Sequence, residues 1–399
     1  MQRKHIPVAH KVGAALLLAL ATQARADVIT DWNIKAGEIL FESKMGTPPA
    51  VRVMALVQTA VYQAAARADE RRASLDAAVA AAHRVTLGRL VAGQQAAVEA
   101  AYQTALQAIA EGPQRSAGIA IGEQAAAQVL ALGAQDGADA AESYRPHTAA
   151  GSYVPTALPA AVQWPARKPW ILASAAQFRP GPPPALSSDL WVRNYEEVKA
   201  YGGRANHRRS AQQSTVARFW EFSQPSIYHG VVRSVALQPG RDPVRNALLF
   251  ATVAQAMDDA MIAVFDAKYH YNFWRPVTAI RNGDADGNAA TQRDASWASF
   301  IDTPAHPEYP SAHSILAATV GAILQADGAG GGAMPTLATA SPSAKGAVRQ
   351  WPNVAAFVQE VAEARIAGGM HYRFSTEVGA AMGQQIGTLA AQRLLASAQ

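Results

Sequence analysis

Along most of this chain apolar residues return every three to four positions, with alanine filling many of the intervals. From about Thr30 to Gly112 the series Met54, Val57, Val61 and, further on, Leu87, Leu90, Val91 predicts several amphipathic helices. Residues 116–132 continue the pattern after a Gly112-Pro113 break. Helical spacing returns over 187–201 and 210–222, strengthens over 243–274, and recurs over 311–325, 354–366 and 376–397. Alternating patterns of strand type are scarce, and no repeat of about 20–50 residues is visible. The predicted class is all-α.

Three stretches interrupt the helices. Residues 151–184 carry eight prolines and little periodicity, yet hold Trp164, Trp170, Ile171, Leu172 and Phe178. Side chains of that size predict a loop wrapped on the body of the protein rather than a free linker. Residues 282–310 form a second loop, within which Asp284, Asp286 and Asn288 lack the oxygen spacing of a calcium loop and read as a polar turn. The glycines at 328–332 lack the Lys-Ser/Thr of a phosphate loop and read as a connection. The predicted organisation is an N-terminal helical region over 27–235 containing the loop 151–184, followed by a C-terminal helical bundle over 236–399.

The first 26 residues read differently. Arg3, Lys4 and Lys11 border an apolar run over 12–21, and Ala24-Arg25-Ala26 follows. This is the pattern of a cleavable secretory signal, with the cut expected after Ala26 and the mature protein soluble and exported, secreted or periplasmic. Its apolar run is too short to span a bilayer, and no later uninterrupted apolar run has the necessary length of about 20 residues.

Composition narrows the chemistry. The 399 residues are 50% hydrophobic and 16% charged, with no cysteine. A large core is affordable, while thiolate catalysis, disulfides and cysteine-held metal clusters are excluded. The net charge of +5 includes four basic residues of the leader, so the mature chain carries +1. That balance argues against nucleic acid as a partner. Neither His-Glu-x-x-His nor Gly-x-Ser-x-Gly occurs, which removes two common hydrolase signals.

Three segments hold candidate chemistry. In the first, Lys268 and Arg275 lie seven positions apart, a spacing that places two cations on one face of a helix, with Pro276 leaving Arg275 at its frayed end. The second, His306-Pro-Glu-Tyr-Pro310-Ser311-Ala312-His313, runs into an apolar helix. It presents a hydroxyl and unpaired backbone N–H groups at a positive helix end. The third carries Arg365 at the end of a helix, Gly368-Gly369 as its terminator, and His371 before the next helix. Taken together they supply cations, fixed donors and two imidazoles suited to one small, multiply charged oxyanion.

This set and its order resemble the superfamily of vanadium-dependent haloperoxidases and type 2 phosphatidic acid phosphatases. The motifs are Lys268 with six residues to Arg275-Pro276, then Pro310-Ser311-Ala312-His313, then Arg365 with five residues to His371. Asp31-Trp32-Asn33 and Pro48-Pro49-Ala50 also look like exported bacterial members. The resemblance implies two packed helical bundles with the anion site in the C-terminal one. It further implies vanadate bound through His371, its oxygens held by Lys268, Arg275, Arg365, Ser311 and the Ala312 N–H. His313 would act as acid–base, and Lys268 would polarise hydrogen peroxide. Phe273-Trp274-Arg275-Pro276 and His371-Tyr372-Arg373-Phe374 resemble the haloperoxidase branch. His306 is similar to bromoperoxidases, so His306 and Trp274 are candidates for the halide site.

Three positions depart from the family pattern: Ala312 replaces a glycine, Ala364 a serine, and Ser375 the aspartate four residues after the last histidine. A partner for His371 must therefore come from elsewhere in the chain or be a backbone carbonyl. The favoured reading is a haloperoxidase acting on halide, bromide first, with hydrogen peroxide. The alternative is an exported acid phosphatase acting on a phosphate ester through a phosphohistidine, with no cofactor required. The third reading is a non-catalytic oxyanion-binding protein.

Overall fold

A computed structural model describes residues 27–205, 208–328 and 333–395. The expected leader, residues 329–332 of the glycine connection and the last two residues of the helix expected over 376–397 lie outside these. The described residues form thirteen α-helices and one two-stranded hairpin, in keeping with the all-α expectation.

The first half comprises α1 (Val28–Glu42), α2 (Thr47–Glu70), α3 (Leu75–Leu90), α4 (Gln95–Gln107) and α5 (Pro113–Gly133). Local chemistry sets several of their starts. Asp27 and Ser74 accept the N–H groups of Thr30 and Ala77, and prolines occupy the first turns of α2 and α5. After the long irregular segment come α6 (Asp189–Gly202), α7 (Ala211–Phe219), α8 (Pro225–Ala236), α9 (Pro243–Tyr271) and the short α10 (Pro276–Arg281). The rest comprises α11 (Ala312–Gly328), strands β1 (Leu337–Ser341) and β2 (Ala347–Trp351), α12 (Val354–Ala367) and α13 (Arg373–Ala390). Strands β1 and β2 pair antiparallel, Leu337 opposite Trp351.

Helix α9 is long and apolar enough to cross a membrane by length and composition, but 94% of its apolar window is buried inside the protein. It packs on α2, α11 and α13, so apolar residues from Ile29 to Leu395 share one interior. The irregular segment straps this core. Trp164, Ile171 and Leu172 are buried; Arg167 pairs with Asp258 at 2.6 Å and Asp136 at 2.8 Å. Both Asp259 oxygens accept backbone N–H groups of residues 170–172.

Two expectations need correction. Lys268 and Arg275 do not share a helix: Asn272 adopts a left-handed conformation (φ 47°), closes α9 after Tyr271, and Arg275 is extended at the start of α10. The restriction that Pro276 places on its predecessor is met by an extended Arg275 outside both helices, not by fraying of α9. Residues 225–236 form a helix and residues 337–351 a hairpin, neither of which the apolar spacing announced.

Candidate active site

The three sequence segments meet at one end of the bundle formed by α9, α11, α12 and α13. Between α9 and α10 the chain runs extended, with the Tyr153 N–H donating to the Asn272 carbonyl, the Trp274 N–H to Gly151 and the Glu308 N–H to Phe273. The strap and the 306–311 segment thus fix the backbone that carries Arg275. On the other side, the Ser311 N–H donates to the Ser375 carbonyl at 3.1 Å, tying the start of α11 to the first turn of α13.

Lys268, in the last turn of α9, is fully buried. Its Nζ donates to the carbonyls of Pro307 (3.0 Å), Glu308 (2.7 Å) and Pro310 (2.6 Å). All three ammonium hydrogens are therefore committed to shaping the loop before Ser311. The expected bond from Lys268 to an oxyanion would require exchange of one carbonyl, whereas its charge acts on the site in any case.

Arg275 is a hub. Its Nε donates to the His306 carbonyl and Nη1 to the Met370 carbonyl, both at 2.9 Å; Nη2 lies 2.9 Å from His306 Nδ1, and Nη1 lies 3.3 Å from His371 Nε2. Arg365 ends α12, donating Nη1–H to the Trp220 carbonyl at 2.6 Å with Nη2 3.0 Å from Met370 Sδ. The His313 ring also lies beside the Trp220 carbonyl. Ser311 Oγ accepts from Ser314, and Ala312 opens α11. Of these residues Ala312 and His306 are half-buried and the others buried, so solvent reaches the group from their side. Trp274 is not part of the charged group: its indole stacks on Trp191 at 5.9 Å within an aromatic cluster that includes Tyr372 and Phe374. That placement corrects the expectation that it faces a halide.

Sequence reasoning missed Glu308. Its Oε1 lies 2.6 Å from His371 Nδ1 and accepts the Tyr372 N–H at 3.2 Å. The aspartate missing at Ser375 is thus answered from a different segment, and the Ser375 hydroxyl is 3.5 Å from the same nitrogen. The only sequence signal was an acidic residue between Pro307 and Pro310 in a motif otherwise read for its serine and histidines.

The electrostatics are those of a site short of negative charge. Burial and the neighbouring cations pull Lys268, His306, His313 and His371 well below their usual values. Burial lowers Arg275 to about 10 and Arg365 to about 9, and raises Glu308 to about 7 against the pull of Lys268 and Arg275. Among the described residues no carboxylate oxygen lies within 4.0 Å of Lys268, Arg275 or Arg365. Arg365 Nε and His313 Nε2 are buried without a hydrogen-bond partner. Unmet donors and buried cations with no carboxylate in contact are costly unless an anion completes them.

Among the described residues, no three His, Cys, Asp or Glu side chains gather as ligands for a metal cation. The donor set, with guanidinium groups, a hydroxyl, a helix start and one imidazole lone pair, suits a tetrahedral oxyanion, and vanadate fits it.

Residues 248–399 match the family model described as the VCPO second helical-bundle domain. No curated protein matches the sequence. Among solved structures the chain is similar to the one described as the first bacterial vanadium-dependent iodoperoxidase, with TM-score 0.78 and 24% identity over 92% of this chain and 96% of that one. It is also similar to a bacterial vanadium-dependent chloroperoxidase in its holo form, with TM-score 0.71 and 18% identity over 88% and 93% of the two chains. The apo form of such an enzyme gives TM-score 0.70. Residues 248–399 thus carry the pattern of that second helical-bundle domain, and the chain as a whole shares its helical fold with these structures.

Proposed function

We propose that this protein is a vanadate-dependent haloperoxidase that oxidises halide, bromide in preference, with hydrogen peroxide to hypohalous acid. The observation that carries the reading is the buried group of Lys268, Arg275 and Arg365 with no carboxylate in contact, beside the unpartnered Arg365 Nε and His313 Nε2. His371 would hold vanadium through Nε2. Arg275, Arg365, Ser311 and the Ala312 N–H would hold its oxygens. Vanadate so held supplies a Lewis acid that activates peroxide without changing its own oxidation state.

The remaining roles belong to the protein. His313, neutral because it is buried, takes up or gives a proton at Nε2. Lys268 adds positive potential and fixes the loop before Ser311. Bromide preference rests on His306, whose ring faces Arg275 and lies 5.1 Å from Phe265 on the solvent side of the site. Export to the periplasm or medium, with cleavage after Ala26, is part of the same proposal and rests on the charged and apolar pattern of the first 26 residues.

One observation favours the phosphatase alternative: Glu308 gives His371 the carboxylate partner that a phosphohistidine route needs. Variants separate the roles. His371→Ala is expected to abolish tight vanadate binding in calorimetry. His313→Ala is expected to keep binding and lower bromination by about 10²–10⁴-fold, the range for a general acid–base group. Unchanged turnover in either variant would contradict these roles, and vanadate binding without turnover in the parent protein would leave an oxyanion-binding protein.

A further inference from the structure

We infer that Glu308 is a positioning residue that fixes the tautomer of His371, its Oε1 accepting a hydrogen bond from Nδ1–H so that Nε2 presents its lone pair to the Arg275 side of the site. The inference rests on the reading above only in making that side the oxyanion side.

Two contacts select the same tautomer. Glu308 Oε1 stands 2.6 Å from Nδ1, a distance that a carboxylate oxygen and a nitrogen lone pair would not share without a proton between them. On the opposite edge of the ring, Nε2 lies 3.3 Å from Arg275 Nη1, a group that can only donate, so this nitrogen is the acceptor. The other tautomer would set lone pair against carboxylate at one edge and N–H against N–H at the other. Nearby alternatives are weaker: the Ser375 hydroxyl is 3.5 Å from Nδ1 and is not charged.

Glu308 is itself held firmly. Its backbone N–H donates to the Phe273 carbonyl at 2.9 Å, its carbonyl accepts from Lys268 at 2.7 Å, and Oε1 also receives the Tyr372 N–H. Lys268 grips the carbonyls of Pro307 and Pro310 as well, so the ammonium clamps the segment that carries the carboxylate. The ring of His371 is fixed at one edge by this assembly, and its other edge is left to the ligand. A histidine oriented by a carboxylate on its second nitrogen is a firmer and more basic ligand, and loss of such a partner typically lowers affinity by about 10–100-fold.

The test reads the tautomer directly, in ligand-free protein labelled with ¹⁵N-histidine, and vanadate affinity separately by calorimetry. The parent protein at pH 8 is expected to show His371 with a protonated Nδ1 and a bare Nε2, assigned by loss of the signals in His371→Ala. Glu308→Gln, whose side-chain oxygen can still accept the Nδ1–H hydrogen bond, is expected to keep that pattern. Glu308→Ala is expected to mix the tautomers and weaken vanadate binding about 10–100-fold, with Ser375→Asp in that background recovering part of the loss. A His371 protonated on Nε2 in the parent protein would overturn the inference, and so would an unchanged tautomer and affinity in Glu308→Ala. Because the nitrogen signals are read without vanadate, a protein that shows the expected tautomer but no bromination would contradict the haloperoxidase reading and leave the role of Glu308 standing.

Discussion

Histidines outside the site show what full burial does to a titratable ring. His83, on α3, stacks on Trp32 at 4.8 Å, has Nδ1 2.9 Å from the Val79 carbonyl, and has no partner at Nε2. Burial pulls it down to about 4 from 6.5, so the folded protein keeps it neutral where the unfolded chain takes a proton. A depressed folded value contributes stability that is present above pH 6.5 and lost as pH falls toward 4, at about 1.4 kcal/mol per pH unit. Urea unfolding at pH 7 and pH 5 is therefore expected to show a loss that is smaller in His83→Leu by about 2 kcal/mol. An equal loss in both proteins would contradict it. At this scale the sequence was legible where a residue acts through its own type. Arg275, Ser311, His313, Arg365 and His371, drawn from three separate segments, lie together in the structure. Glu308 was missed, and the three carbonyl contacts of Lys268 were not legible, because both depend on which distant atoms the side chains touch: an imidazole 63 positions away and three carbonyls about 40 positions away.

The pairing of α11 with α13 governs the geometry of the site, because the first helix begins at Ala312 and the second just after His371. Gly379, Gly383 and Gly387 line the contact, and a Cβ on Gly383 would stand 2.2 Å from the Ile315 carbonyl oxygen. The close approach of the two backbones exists because these positions carry no side chain. Gly383→Ala is expected to cost about 1–3 kcal/mol through forced separation of the helices, against the small gain that alanine normally brings to a helix. Gly88→Ala on α3, where a Cβ meets nothing within 4 Å, is the control and is expected to gain about 0.5–1 kcal/mol. Equal shifts of the urea midpoint in the two variants would show that the glycine contact does not constrain the bundle. Periodicity revealed these helices but not their spacing. It also passed over α8, where His229, Gly230 and Arg233 interrupt the apolar run, and the hairpin, whose strands have only five residues each.

Among the described residues, a large apolar interior, a separate aromatic cluster and one strap frame the site. The strap crosses from α5 to α6, pins itself to α9 through Arg167, Asp258 and Asp259, and ends its course beside the site, where the Tyr309 hydroxyl donates to the Gly181 carbonyl. A ring of buried cations can persist only in such a frame, since each would otherwise swing toward water or a carboxylate. The sequence foretold the strap from its prolines and tryptophans, while its partners, Asp258 and Asp259, lay hidden in an apolar helix. On the proposed function, this frame holds one tetrahedral oxyanion for peroxide chemistry. The most direct measurement is bromination of a dimedone-type acceptor by the purified protein with hydrogen peroxide and bromide, before and after vanadate is added in phosphate-free buffer. Bromination is expected to appear with vanadate and to be suppressed by excess phosphate. No bromination, together with hydrolysis of an aryl phosphate that vanadate inhibits, would contradict it and make the same site that of a phosphatase.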